Sequence, residues 1–264
     1  MGIIADALGV MNVFDDYEYD AKYSTIYFHS NERLKDIFSE IDVKNKDVLT
    51  ILGSGDQAFY FYDNGARIVD MFDRNKLAIY YYYLRTWVII NFDLFYPGKL
   101  NKKYIKNLLR YVKPQTKDEK DALRFWKMYT KFFTDEDTET LFSFSKNYEM
   151  NDLDDVSKIR KRIENGNISF YNVDISKSID INKKYDIIFT SNIADYLLQE
   201  ENQLKLYRDN LNSLLKNDGC IVRCYVINGH NSKMEREIYL EKFDSQEIPS
   251  KSDKRTIGSV YTKR

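Results

Sequence analysis

Short apolar runs alternate along this chain with amphipathic stretches, and the alternation predicts its elements. Val48-Leu49-Thr50-Ile51-Leu52 and Arg67-Ile68-Val69-Asp70-Met71-Phe72 are apolar runs bounded by turn residues, as expected for strands buried on both faces of a parallel sheet. Ile168-Ser169-Phe170-Tyr171-Asn172-Val173-Asp174-Ile175 predicts a third strand, Asp186-Ile187-Ile188-Phe189-Thr190-Ser191-Asn192 a fourth, and 220–227 a fifth. A terminal pair, through Phe243 and through Gly258-Ser259-Val260-Tyr261-Thr262, is expected to close the sheet. Apolar positions at helical spacing predict helices over 32–41, 76–90 and 197–215. Ser30 or Asn31 is the expected cap of the first, and Asn217-Asp218-Gly219 the expected stop of the last.

From 91 to 165 no strand pattern occurs. Helical periodicity covers 104–112, 122–133, 139–147 and 156–163, with charged loops at 113–120 and 134–138. A stretch this long is no plain βα connection. The expected fold class is therefore α/β: a Rossmann-like, doubly wound, mostly parallel sheet with a helical insertion at 91–165 that shapes an acceptor pocket. Residues 1–45 are expected to form an N-terminal arm or lid, and 46–264 the sheet domain.

Composition narrows the classes of partner. Hydrophobic content of 43% and charged content of 31% describe an ordinary folded domain. The formal net charge of −1 gives no electrostatic case for nucleic acid. No apolar run approaches the roughly 20 residues that a bilayer span needs. The N-terminus lacks a basic leader region, and Asp6 argues against lipidation of Gly2. A cytoplasmic protein is expected. Cys220 and Cys224 share one strand face, too far apart for a disulfide. Two thiols alone do not make a zinc site, so no metal is expected. Tyr80-Tyr81-Tyr82-Tyr83 spans a full helical turn, which predicts some rings inside and others at the surface.

Candidate chemistry begins where the first strand ends. Gly53-Ser54-Gly55-Asp56-Gln57-Ala58 fits Gly-x-Gly-x-x-Ala, a tight turn that opens a helix beside a ligand. The second apolar run ends in Asp73, placed to accept both hydroxyls of a ribose. Strand, glycine turn, helix, strand and terminal acid, in that order, point to a nucleoside cofactor. Asp56 at the helix N-terminus would repel a phosphate, and either faces a cationic amino-acid ligand or simply caps the helix. Asp174 ends the third strand, with Ile175 after it, within reach of an adenine. Ser191, Asn192, Asp195 and Tyr196 stand at the carboxyl end of the fourth, where open α/β sheets bind ligands.

The glycine turn with its following acid resembles that of class I S-adenosylmethionine-dependent transferases. Leu49-Thr50-Ile51-Leu52-Gly53-Ser54-Gly55-Asp56-Gln57-Ala58, Phe72-Asp73-Arg74-Asn75, Lys76-Leu77-Ala78 and Ser191-Asn192-Ile193-Ala194-Asp195-Tyr196 resemble the BtaA-like family. So does Phe92-Asp93-Leu94-Phe95-Tyr96-Pro97-Gly98. That family transfers the 3-amino-3-carboxypropyl group of S-adenosylmethionine, in betaine-lipid synthesis to diacylglycerol. The resemblance implies S-adenosylmethionine as cofactor. Gly53, Ser54, Gly55 and Asp56 would lie along it, Asp73, Arg74 and Asn75 at its ribose, Asp174 and Ile175 beside adenine, and Ser191 and Asn192 at its methionine end.

The expected activity is aminocarboxypropyl transfer to a nucleophilic acceptor: a small molecule, a peptide or a lipid headgroup. Methyl transfer is the alternative, and a non-catalytic S-adenosylmethionine-binding protein the second. Both transfers are in-line displacements at a carbon on a sulfonium, so an amine or thiol acceptor needs chiefly positioning, whereas a hydroxyl also needs a base. Asp195, Tyr196, His29 and Tyr27 are the candidates for that base, with Tyr23 beside them in the expected lid.

Overall fold

In the computed structural model the described residues are 32, 34–91, 101–132, 134, 153–165, 168–177, 179–197, 201–225, 238–249 and 257–263. The apolar runs form β1 (Asp47–Ile51), β2 (Ile68–Phe72), β3 (Phe170–Tyr171), β4 (Tyr185–Ser191), β5 (Leu215–Tyr225), β6 (Phe243–Pro249) and β7 (Ile257–Lys263). One seven-stranded sheet results, in the order β3-β2-β1-β4-β5-β7-β6. Pairing is parallel from β3 to β5, and β7 runs antiparallel to both β5 and β6. The chain winds outward from β1 to β3 and resumes at β4 on the other side of β1. The winding therefore reverses between β1 and β4, and a crevice opens at such a point beyond the strands' carboxyl ends.

The helices are α1 (Leu34–Ile37), continued by a 3-10 turn at Phe38–Glu40, then α2 (Asp56–Asp63), α3 (Lys76–Ile90), α4 (Lys102–Tyr111), α5 (Lys117–Tyr129), α6 (Leu153–Glu164) and α7 (Glu201–Leu214). Local signals set their starts. The Asn75 side chain accepts the Leu77 N–H at 3.0 Å to cap α3, and Thr116 forms a capping box with Glu119 to open α5. One core lies between the sheet and α1 to α3, containing Val48, Leu52, Phe59, Phe61 and Tyr81. The other lies on the opposite face under α7, with Leu49, Ile188, Leu211, Ile221 and Tyr261. Leu34, Ile37 and Phe38 are buried in the first core, and the Phe38 ring sits 5.0 Å from that of Phe61 and 5.4 Å from that of Phe189. This part of the expected arm is thus packed as core.

Two local expectations are corrected. The predicted third strand keeps only two paired residues, Phe170 with Met71 and Tyr171 with Phe72. Beyond them Asp174 turns the chain, its carboxylate accepting the Ser176 N–H and its carbonyl the Lys177 N–H. Second, Asn217-Asp218-Gly219 is no helix stop: α7 ends at Leu214 and β5 starts at the next residue. The register shifts between the pairs Tyr185↔Leu215 and Ile187↔Cys220, so these turn-forming residues bulge out of a strand. A Cβ on Gly219 would stand 3.0 Å from the Tyr185 carbonyl oxygen, which explains the glycine there. Of the four tyrosines, Tyr80, Tyr81 and Tyr82 are buried and Tyr83 is half-buried. Helix α3 has the sheet on one side and α5 on the other, where the Trp126 indole donates to the Tyr80 carbonyl at 2.6 Å, and only the stripe of Lys76, Tyr83 and Ile90 is partly exposed.

The described insertion helices lie over α2 and α3, with α6 anchored by Arg160 donating to the Ile89 carbonyl. The helix predicted at 139–147 and the aromatic segment at 92–98 lie outside the described residues. Cys220 and Cys224 are not joined in a disulfide. Among the described residues no helix is long and apolar enough to cross a membrane.

Candidate active site

The turn after β1 needs its glycines. Gly53 has φ 51° and Gly55 φ 88°, in the left-handed region where a side chain is strained. The Gly55 N–H returns to the Leu52 carbonyl at 2.7 Å, and Gly55 is the N-cap of α2. A Cβ there would come within 3.1 Å of the Tyr82 ring. The cap is therefore the glycine and not Asp56.

Asp56 is also corrected as a ligand-facing group. Its side chain is fully buried, and one oxygen lies 2.7 Å from Arg85 Nη2. Arg85 is itself buried, donates to the Ser54 carbonyl at 2.7 Å and lies over the Phe59 ring at 4.8 Å. The ion pair props the glycine turn from beneath. Arg85 was not foreseen, although the one arginine inside the apolar helix 76–90 was a signal that a buried acid faced it.

Asp73 directly follows β2. One carboxylate oxygen accepts the Gly53 N–H at 3.1 Å and the other the Asn75 N–H at 2.8 Å. The carboxylate thus ties the glycine turn to the start of α3. Burial pushes its pKa from the ordinary 3.8 up to about 6, outweighing the amides of Asn75 and Gly53 and the charge of Arg74, which pull it down. Asn75 contributes the turn, its side chain being occupied as the α3 cap. Arg74 pairs with Asp174 at 3.4 Å, and the Asn172 amide donates to the Asp73 carbonyl at 2.9 Å. Asp73, Arg74 and Asp174 are so gathered at one mouth, with Ile175 buried behind.

On the β4 side, Ser191 is a non-glycine residue at φ 53°, a strained conformation that surrounding structure must enforce. Its hydroxyl donates to the Glu32 carboxylate and lies 3.2 Å from Asn192 Oδ1. The other Glu32 oxygen accepts from the Gln57 amide at 2.9 Å. Glu32 is only 2% exposed. The sequence pattern placed it on a helix start and did not mark it as a site residue. Asp195 and Tyr196 lie in a 3-10 turn (Ile193–Tyr196) just past β4; their side chains, like Tyr23, Tyr27 and His29, fall outside the described set.

A family model described as Nodulation protein S (NodS) matches residues 135–231, a little over a third of the chain. No curated protein matches it. Among solved structures the chain is similar to the N-methyltransferase NodS from Bradyrhizobium japonicum WM9 in complex with S-adenosyl-l-homocysteine, with 12% identity, 88% of this chain and 83% of that chain covered, and a TM-score of 0.39. It is also similar to the glycopeptide N-methyltransferase MtfA complexed with S-adenosyl-L-homocysteine, at 9% identity, 96% and 97% coverage, and a TM-score of 0.49. A third similarity is to the ribosomal protein L11 methylase from Lactobacillus delbrueckii subsp. bulgaricus, at 14% identity, 88% and 76% coverage, and a TM-score of 0.43.

Proposed function

We propose that the protein is an S-adenosylmethionine-dependent methyltransferase that binds its cofactor across the β1–β4 crevice. One conjunction carries the reading: the winding reverses between β1 and β4, and the positive-φ glycines and the Asp73 carboxylate meet at that end of the sheet. Glycine lets a ligand approach the backbone, and a carboxylate at the second strand end can accept ribose hydroxyls. In this reading Gly53, Ser54 and Gly55 line the amino-acid arm, and Asp73 holds the ribose in the turn made with Arg74 and Asn75. Asp174 and Ile175 border adenine, and Ser191 and Asn192 meet the methionine end.

The NodS match adds separate support, because it falls on 135–231 and rests on neither the glycine turn nor Asp73. NodS is described as an N-methyltransferase, and an amine is accordingly the acceptor class we carry over. An amine lone pair displaces at the sulfonium methyl once it is held in line, which asks of the protein mainly orientation and exclusion of water. Asp195, Tyr196, His29 and Tyr27 stay as the groups proposed to take the released proton.

Aminocarboxypropyl transfer, implied by the BtaA-like resemblance, gains no support from these comparisons, and methyl transfer replaces it as the main reading. The spent cofactor separates the two. Incubation with S-adenosylmethionine and an amine-containing cell extract, followed by mass spectrometry, is expected to yield S-adenosylhomocysteine. Methylthioadenosine alone would overturn methyl transfer, and tight binding with neither product would point to the non-catalytic binder.

Asp73 also predicts a pH dependence. Ribose hydroxyls donate to the ionised carboxylate, and in the ligand-free protein that form gives way to the protonated one below a pKa of about 6. Cofactor affinity should be flat above pH 6 and fall by about tenfold per unit below it. Stability of the ligand-free protein runs the other way. With the folded pKa raised, the contribution of Asp73 is full below pH 3.8 and is lost as pH rises through about 6. Titration calorimetry between pH 5 and 8 would read the first; a constant Kd across that range would remove Asp73 from the ligand contacts.

A further inference from the structure

We infer that the basic hairpin of α4 and α5 is a docking surface for single-stranded RNA. The inference goes beyond the cofactor reading and does not depend on it. The whole-chain charge of −1 hides a very uneven distribution. Residues 101–132 hold ten Lys and Arg against three Asp and Glu, a net charge of +7. On α5 the cations fall at Lys117, Lys120, Arg124 and Lys127, with Lys131 just past its end. Steps of three and four residues put them on one face, and all five are exposed. At 1.5 Å per residue the row runs for about 20 Å. The acids are confined to the start of the helix, where Glu119 is engaged in the capping box and Asp118 and Asp121 stand beside it. Helix α4 lies alongside, its first residue Lys102 donating to the Lys131 carbonyl at 3.2 Å, and it exposes Lys103, Lys106 and Arg110.

Such a field attracts a polyanion, and the rest of the surface chooses among polyanions. A basic helix that lies in a membrane surface needs an apolar face to insert. Here those faces are taken up by the core, with Leu108 and Leu109 of α4 and Phe125 and Trp126 of α5 all buried. Two aromatic rings stand outside instead, Tyr111 at 69% and Phe132 at 60% exposure. They mark opposite ends of the basic row, Tyr111 ending α4 next to the loop that opens α5, and Phe132 following the end of α5. Single strands are held by cations that track the phosphates and by aromatic faces on which unpaired bases stack. An acidic protein would meet the charges but has no bases for the rings. RNA is the nucleic acid that ordinarily presents unpaired bases, in its loops, bulges and ends. The surface is also mounted on the crevice, because the bond from Trp126 to the Tyr80 carbonyl fixes α5 against the opening turns of α3, the helix that leaves the Asp73 turn.

Fluorescence anisotropy of a labelled, unstructured RNA of about 20 nucleotides, longer than the roughly 4–16 that a strand-binding fold covers, tests the surface. The natural sequence is expected to bind it with log affinity falling against log salt at a slope of about −3 to −4, near 0.7 for each cation of the α5 row. Lys120→Gln with Arg124→Gln and Lys127→Gln should reduce that slope to about −1 to −2. Lys35→Gln with Lys44→Gln and Lys46→Gln removes the same charge from exposed positions outside the hairpin, and should leave the slope nearly unchanged. Tyr111→Ala with Phe132→Ala should weaken binding by about 5- to 150-fold at constant slope. The slope of the natural sequence needs no variant, so the test survives a variant that fails to fold. No binding at about 50 mM salt, or equal losses in the two triple variants, would overturn the surface. Unchanged affinity without the two rings, or displacement of the RNA by polyglutamate of equal charge, would overturn RNA in favour of an acidic protein. Tighter binding to phosphatidylserine vesicles than to the RNA would overturn it in favour of a membrane. None of these outcomes touches S-adenosylhomocysteine binding, so the cofactor reading is judged apart from them.

Discussion

Asp73→Ala should weaken S-adenosylhomocysteine binding by about 3–6 kcal/mol, or roughly 10²- to 10⁴-fold, the value of two hydrogen bonds to a charged acceptor. The structure gives the substitution a second route to the same loss. Asp73 accepts the N–H groups of Gly53 and Asn75, so its removal also frees the glycine turn from the start of α3. The two routes separate with a 2′-deoxy analogue of the ligand. If Asp73 touches the ribose, deleting the hydroxyl should cost affinity in the natural sequence and little in the variant. If Asp73 only shapes the turn, the hydroxyl should be worth the same in both. Near-natural affinity of Asp73→Ala for S-adenosylhomocysteine would remove the residue from the site.

The parts legible in the sequence are those whose signals are local. Both flanks of the crevice could be read because an apolar run, a glycine pair and a following acid are contiguous, and β1, β2 and α3 lie within a few residues of the predicted bounds. The terminal pair of strands could be read for the same reason, though not its antiparallel direction. What stayed hidden depends on contacts between distant segments. Glu32 and Ser191 are 159 positions apart, and nothing in the pattern around either announces the other. Asp56 shows the same limit in reverse. As a residue it looks like an N-cap or a ligand contact, and only its position beneath the turn, against an arginine 29 residues on, makes it a buried ion pair. The misread helix stop at Asn217-Asp218-Gly219 has a local cause. Turn formers serve a strand bulge as well as a helix end, and the β4 register decides between them.

Arg85→Met should be among the most destabilising single changes in the chain. Arg85 and Asp56 are 2% and 0% exposed at the side chain, and removing one partner strands the other charge out of water. Breaking such a pair costs about 3–5 kcal/mol, a large share of the roughly 5–15 kcal/mol by which a folded domain is stable. The Ser54 carbonyl also loses its donor, so the damage extends to the glycine turn. Adding Asp56→Leu to Arg85→Met removes the stranded charge, and since apolar replacement of a buried pair is often neutral or stabilising, the double variant should recover most of the lost stability in denaturant unfolding. Its affinity for S-adenosylhomocysteine should stay below that of the natural sequence, because the turn is still unpropped. A double variant as unstable as Arg85→Met would show that packing, not the unpaired carboxylate, sets the cost. Full recovery of affinity would show that the turn holds its shape without the ion pair, which would reduce Arg85 and Asp56 to a matter of core stability.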